Sequence, residues 1–109
     1  MNAFYKYKDQ KGQHSISPTL LWDYDLDNFD WLKNRGEVIK RVIMLGRLSD
    51  FFAAFDMYGG IDAVGQIAKN EVNDLSERDL DFMCRAFNLK KEDTLCYRNI
   101  QSRIQLLSS

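Results

Sequence analysis

The chain has 109 residues, of which 45% are hydrophobic and 28% are charged, and its formal net charge is −1. This length fits one domain with one core, and the composition excludes a disordered chain. The near-zero net charge argues against a protein that holds duplex nucleic acid mainly through its phosphates.

The first 16 residues form a polar lead-in that is rich in Lys and Tyr, and residues 17–109 form the predicted helical domain. Its aromatic residues either pack on that domain or are unpacked, and we expect much of the lead-in to be mobile. These residues are Phe4, Tyr5 and Tyr7. The lead-in lacks the apolar segment of a signal peptide. No stretch of the chain reaches the roughly 18 to 20 apolar residues that cross a membrane, so a membrane protein is not expected.

The sequence offers no motif of a catalytic or metal site. Cys84 and Cys96 have neither metal-type nor redox-type spacing, so we expect reduced thiols in a cytoplasmic protein, with Cys84 buried. His14 is the only histidine, lies far from other ligand types and is expected to be exposed. A nucleophile elbow, a dinucleotide fingerprint and a Walker loop are also missing, so we predict no enzyme activity and no cofactor.

Acidic residues recur at alternate positions in residues 23–27. This spacing resembles the start of a calcium loop, but Asn28 and Asn34 stand where such a loop needs Gly and Glu. A carboxylate site for nucleotidyl transfer would need a Gly-rich phosphate loop nearby, and none precedes the segment. We favour a turn in which Asp27 caps a short helix from Asn28 to about Lys33, with Phe29 and Leu32 facing inwards. An acidic surface for a basic partner is the second interpretation.

Helical spacing dominates the middle of the chain. A helix is predicted from Glu37 to Leu45, with a wide apolar face that includes Leu45 and with Gly46 at its C-cap. Ser49 is predicted to cap the next helix, which carries three phenylalanines and ends at the two glycines of positions 59 and 60. A third helix is predicted from Ile61 to about Lys69, with Asn70 in the left-handed conformation at its end.

Two further helices follow. Ser76 and Asp79 form a weak capping box before an apolar stripe that runs to Phe87, and Asn88 is the predicted C-cap. Asp93 or Thr94 starts the last helix, whose inward residues are predicted to be Leu95, Ile100, Ile104 and Leu107. The predicted fold is therefore an all-α, single-domain, irregular bundle of five or six short helices.

Residues 49–69 have the outline of a helix-turn-helix. A helix that reads DNA needs Arg, Lys, Asn or Gln at its exposed N-terminal positions, but this one offers Ile61, Asp62 and Ala63 there. Only Gln66, Lys69 and Asn70 remain to contact bases. A packed helical hairpin without DNA function is the favoured interpretation, and a small DNA-binding regulator is the alternative.

The C-terminal part has one modest basic face. It is either the solvated side of two amphipathic helices or a site for an acidic partner or RNA. The opposite charges of this face and of the acidic turn would orient a bound partner or favour head-to-tail self-association. The residues of this face are Arg85, Lys90, Lys91, Arg98 and Arg103.

Three stretches of the chain carry a family resemblance. Residues 17–31 contain a Ser-Pro pair and a Trp-Asp-x-Asp motif, residues 38–46 contain Arg41 and Val42 before a glycine, and Cys96 and Tyr97 form a late Cys-Tyr pair. Together with Leu75, Phe82 and Phe87, they resemble a family of small uncharacterised bacterial proteins from Bacteroides-like organisms. Members are often encoded beside Abi-type nucleotidyltransferase toxins, so the resemblance implies an antitoxin or accessory partner. It covers about residues 17 to 97 and carries over no functional residue.

We therefore expect a non-enzymatic protein-binding module, with a toxin of the nucleotidyltransferase type as its partner. Aromatic anchors rimmed by charge are typical of binding hot spots. A core position is nevertheless the slightly favoured interpretation of both tryptophans. The candidate partner surface consists of Trp22, Asp23, Asp25, Asp27 and Trp31.

Overall fold

Residues 12–108 contain five α-helices, three short 3-10 helices and no strand. The computed structural model describes these residues, the last by its backbone only, together with Phe4, Tyr7 and Asp9. The predicted all-α bundle of five or six short helices is confirmed. The helices are α1 (Arg35–Leu45), α2 (Leu48–Tyr58), α3 (Ile61–Glu71), α4 (Glu77–Phe87) and α5 (Leu95–Ser108), and the 3-10 helices are Pro18–Leu21, Leu26–Asn28 and Lys91–Asp93.

Several helix ends lie where local chemistry predicts them. The Ser76 hydroxyl accepts a hydrogen bond from the Asp79 amide at the start of α4. At the other end of α4, Asn88 adopts the left-handed conformation and the Leu89 amide donates to the Cys84 carbonyl, which satisfies the last turn. Gly59, at φ 101°, ends α2 in the same way.

Two predicted caps are wrong. Ser49 lies inside the first turn of α2, because a carboxylate oxygen of Asp50 accepts a hydrogen bond from the Arg47 amide and α2 begins two residues earlier than predicted, at Leu48. Asn70 does not end α3, which continues to Glu71. The reason is tertiary: the Arg35 guanidinium binds the Glu71 carboxylate at 2.7 Å, and this holds the last turn of α3 against the start of α1.

The core is built around α3, which contacts α1, α2, α4 and α5. On the α2 side, Phe4 and Tyr7 of the lead-in are buried against the ring of Phe55, at centroid distances of 4.9 and 5.0 Å. At these two positions the lead-in therefore packs on the domain, although a mobile lead-in was expected. Tyr5 lies outside the described residues.

The last helix is buried at its start and exposed over its second half. Cys96 is fully buried and Ile100 is partly buried against the core, but all of residues 101–107 are exposed. The inward orientation predicted for Ile104 and Leu107 is therefore wrong, and Leu107 is 87% exposed. Leu107 continues the apolar stripe of α5 and is nevertheless exposed, because helical periodicity alone does not bury a side chain.

The lead-in is also held by Asp56 on α2. The Tyr7 hydroxyl donates to one carboxylate oxygen of Asp56 at 2.6 Å, and the Gly12 amide donates to the other at 2.7 Å. Burial of Tyr7, followed by its hydrogen bond to Asp56 and the negative charge of that carboxylate, raises the pKa of Tyr7 to about 12. Burial likewise raises the pKa of Tyr58 to about 12.

The raised pKa values of Tyr7 and Tyr58 predict that the fold loses stability in alkali. A folded-state pKa above the ordinary value of 10.0 means that the fold favours the protonated phenol. The stabilisation is complete below pH 10 and is lost as the pH rises towards 12. We expect Tyr7→Phe to remove about 1.3 kcal/mol of this alkaline loss between pH 9 and pH 11, measured by urea unfolding, because the folded-state phenol is still mostly protonated at pH 11. An equal alkaline loss in Tyr7→Phe and the unmodified chain would contradict the prediction.

Candidate functional site

The acidic turn is fastened to α1 by Arg41. One terminal nitrogen of its guanidinium donates to Asp23 at 2.9 Å, the other donates to Asp23 and to the Leu20 carbonyl, and Nε donates to Glu37 at 3.0 Å. The hydrogen bonds from Arg41 hold the pKa of Asp23 below its ordinary value, and those to Asp23 hold the pKa of Arg41 above its own. A bidentate pair of this kind fixes the orientation of both side chains. Asp23 is therefore a positioning residue for the turn.

The helix predicted from Asn28 to Lys33 does not form. Asp25 caps the 3-10 helix Leu26–Asn28, because its carboxylate accepts from the Asp27 amide at 3.2 Å and from the Asn28 side-chain amide at 2.7 Å. Asp30 then starts a separate turn by accepting from the amides of residues 32 and 33. Two acidic caps five residues apart divide the segment, so Asp27 is not the cap. Among the described residues, its carboxylate has no hydrogen-bond or ion-pair partner and faces solvent.

The two tryptophans have different environments. Trp22 is 80% exposed, so its expected core position is wrong. Trp31 is partly buried against the core, with its ring 4.8 Å from that of Phe29, and its carbonyl accepts from the Tyr58 hydroxyl at 2.7 Å. Trp31 is thus a structural residue, and the candidate partner surface reduces to Trp22, Asp25 and Asp27. We call these three residues the Trp22 surface.

Leu32 and Leu45 are exposed, although both lie on helix faces that the sequence predicts to be apolar and buried. Leu45 lies one turn beyond Arg41 on the same face of α1, and Arg41 reaches Asp23. An exposed leucine therefore lies on the flank of α1 that carries Trp22. Leu32, predicted to face inwards, is also exposed because Asp30 redirects the turn that carries it.

The basic C-terminal face is interleaved with acidic side chains. Lys91 pairs with Asp81 at 3.0 Å and lies 3.9 Å from Glu77, while Arg103 lies 3.6 Å from Asp74. These pairs neutralise much of the positive charge that an acidic partner or RNA would need. The other members of this face, all exposed, are Arg85, Lys90 and Arg98.

The helix-turn-helix outline is present as α2, the glycine turn and α3. In known DNA-binding proteins of this type, the second helix lies in the major groove of the DNA. Here α3 packs on four neighbours, and Gly65 on it lies so close to α4 that a Cβ would be 3.4 Å from the ring of Phe87. Asp62, Gln66 and Asn70 remain exposed on α3, and the first of them is acidic. This geometry favours the packed-hairpin interpretation.

Histidine and cysteine form no shared site in the described part of the chain, where no three His, Cys, Asp or Glu side chains lie close enough to hold a metal ion. His14 is half-buried, with its ring 5.8 Å from that of Phe52, so its expected full exposure is wrong. Cys84 is half-buried rather than buried, and its burial raises the pKa of the thiol. None of the described helices is long and apolar enough to cross a bilayer.

The fold and this surface define a small all-α domain with an exposed tryptophan beside an ion-paired turn. Residues 16–68 match the model of a family of unknown function, DUF6922. The matched region contains the Trp22 surface, α1, α2 and most of α3, so this part of the chain is similar to an uncharacterised domain family. Comparison with curated proteins and with solved structures gave no match.

Proposed function

We propose that this protein is a non-enzymatic binding module that uses the Trp22 surface to hold a partner protein. The observation that carries the proposal is the 80% exposure of Trp22 next to a turn that Arg41 and Asp23 hold in place. A large aromatic side chain on a fixed segment loses little conformational entropy when a partner buries it, and tryptophan is enriched among binding hot spots.

The charge of the surface indicates the chemistry of the partner. Asp25 and Asp27 are exposed and follow Trp22 closely in the chain, so a basic partner surface would be complementary. An enzyme that transfers nucleotidyl groups must present cations to phosphates, and its substrate cleft is therefore such a surface. We accordingly propose an antitoxin-like role, in the bacterial cytoplasm, against a nucleotidyltransferase-type toxin encoded nearby. The region that matches DUF6922, a family of unknown function, contains the Trp22 surface.

The test is binding of the purified chain to the product of the neighbouring toxin gene, measured by calorimetry. We expect a one-to-one complex, and we expect Trp22→Ala to weaken it by about 2 kcal/mol, or roughly thirtyfold in Kd. Leu32→Ala is the matched control, because Leu32 is exposed but belongs to the turn started by Asp30. Its Kd should stay within about twofold of that of the unmodified chain.

Asp27→Asn should slow association severalfold at low salt and have little effect at high salt, because it changes an exposed charge without breaking a described contact. Equal affinities of the Trp22→Ala and unmodified chains would refute the proposal. It would also be refuted by a salt-dependent gel shift on the upstream DNA together with no stoichiometric protein partner, since that result identifies the DNA-binding alternative.

A further inference from the structure

A second surface lies at the C-terminal end of α1. A groove with a volume of about 470 Å³ runs between the end of α1, the start of α2 and α4. Ile43 and Phe51 form its buried floor, and the half-exposed side chains of Met44 and Phe82 form its walls. The ring of Phe82 lies 5.9 Å from that of Phe51, edge-on, which holds this wall in place.

One end of the groove carries adjacent opposite charges, Arg78 and Asp79. Consecutive positions on a helix do not face each other, so the two side chains do not pair. Among the described residues, no carboxylate lies within 4.0 Å of the Arg78 guanidinium and no cationic nitrogen lies that close to Asp79. Asp79 has only its hydrogen bonds with Ser76, at 3.0 and 3.2 Å.

A patch with an apolar centre and one unpaired charge of each sign is complementary to itself. A two-fold axis brings the same patch of two subunits together, so that residue i of one copy meets residue j of the other and the reverse. The formal net charge of −1 gives two copies little mutual repulsion.

We propose that this groove is the interface of a two-fold homodimer. Met44 and Phe82 of each copy pack against the groove of the other, and Arg78 pairs with Asp79 of the second copy. The inference does not depend on the Trp22 surface, because Trp22 does not line the groove.

Sedimentation equilibrium of the purified chain, from micromolar to near-millimolar concentrations, tests the proposal. We expect a monomer–dimer equilibrium whose dissociation constant rises at least about tenfold in Met44→Asp. Met57→Asp is a closely matched control, since Met57 on α2 is 43% exposed, Met44 is 44% exposed, and only Met44 lines the groove. It should dimerise like the unmodified chain.

The charge pairing is tested by reversal. Arg78→Asp should weaken the dimer severalfold, and the double variant Arg78→Asp, Asp79→Arg should restore it, because each charge then meets its opposite across the two-fold axis. Circular dichroism of each variant distinguishes loss of the dimer from loss of the fold. A chain that stays monomeric at every concentration, or a Met44→Asp variant that dimerises normally, would overturn the proposal.

Discussion

Replacement of Asp50 by Ala is expected to lower the free energy of unfolding by about 3 kcal/mol. Asp50 is 1% exposed, and its two carboxylate oxygens each accept one backbone hydrogen bond at 2.9 Å, from the amides of Ser17 and Arg47. Its loss leaves both amides without their acceptor at a partly buried position. The same carboxylate joins the start of α2 to the segment that carries Trp22, so the Trp22 surface should also become more mobile.

Ser49→Ala is the matched control for this change, because Ser49 is the neighbouring residue that local preference selects as the cap. Ser49 is not the N-cap of α2, which is Arg47, so we expect a change within about 0.5 kcal/mol. Urea unfolding followed by circular dichroism measures both variants. If Ser49→Ala cost more than Asp50→Ala, the assignment of the cap to Asp50 would be wrong.

Phe4→Ala is expected to cost about 3 to 4 kcal/mol. Phe4 is 2% exposed, and its ring lies 5.1, 4.9 and 5.3 Å from the rings of Phe51, Phe55 and Phe87. Truncation removes the buried ring and leaves a cavity between α2 and the end of α4, which close packing on both sides prevents from collapsing.

The comparison with Trp22→Ala makes this prediction specific. Trp22 is larger than Phe4, but it is 80% exposed, so its truncation should change the free energy of unfolding by no more than about 0.5 kcal/mol. Both variants are measured by the same urea unfolding experiment. A cost for Phe4→Ala near that of Trp22→Ala would show that the lead-in does not contribute to the core.

Several features of the fold could be predicted because they depend on residues within one or two turns. Ser76 reaches an amide three residues away, and Asn88 and Gly59 adopt the left-handed conformation by their own preferences. The end of α3 was missed because a distant group competes: Arg35 binds Glu71 across 36 positions. The cap of α2 was missed at close range, because the Asp50 carboxylate accepts from the Arg47 amide three residues away.

The candidate site was predictable only in part. The acidic turn and its tryptophan were recognised from their residue types, but their individual roles were not. The negative charge of Asp23 is paired with Arg41, and the Asp25 carboxylate caps the 3-10 helix that follows it. Sequence spacing also gave no indication of the groove, because Met44 and Phe82 lie on separate helices that meet only in the folded chain.

By itself, the sequence determined the helical class and several of the helix ends, because apolar periodicity and capping act over about four residues. Only the tertiary structure decided which apolar side chains are buried. Phe4 in a polar lead-in is covered, whereas Trp22 in an apolar patch and Leu107 on a regular stripe are exposed. Burial depends on which distant segments meet, and that is set by the packing of the whole chain rather than by any local preference.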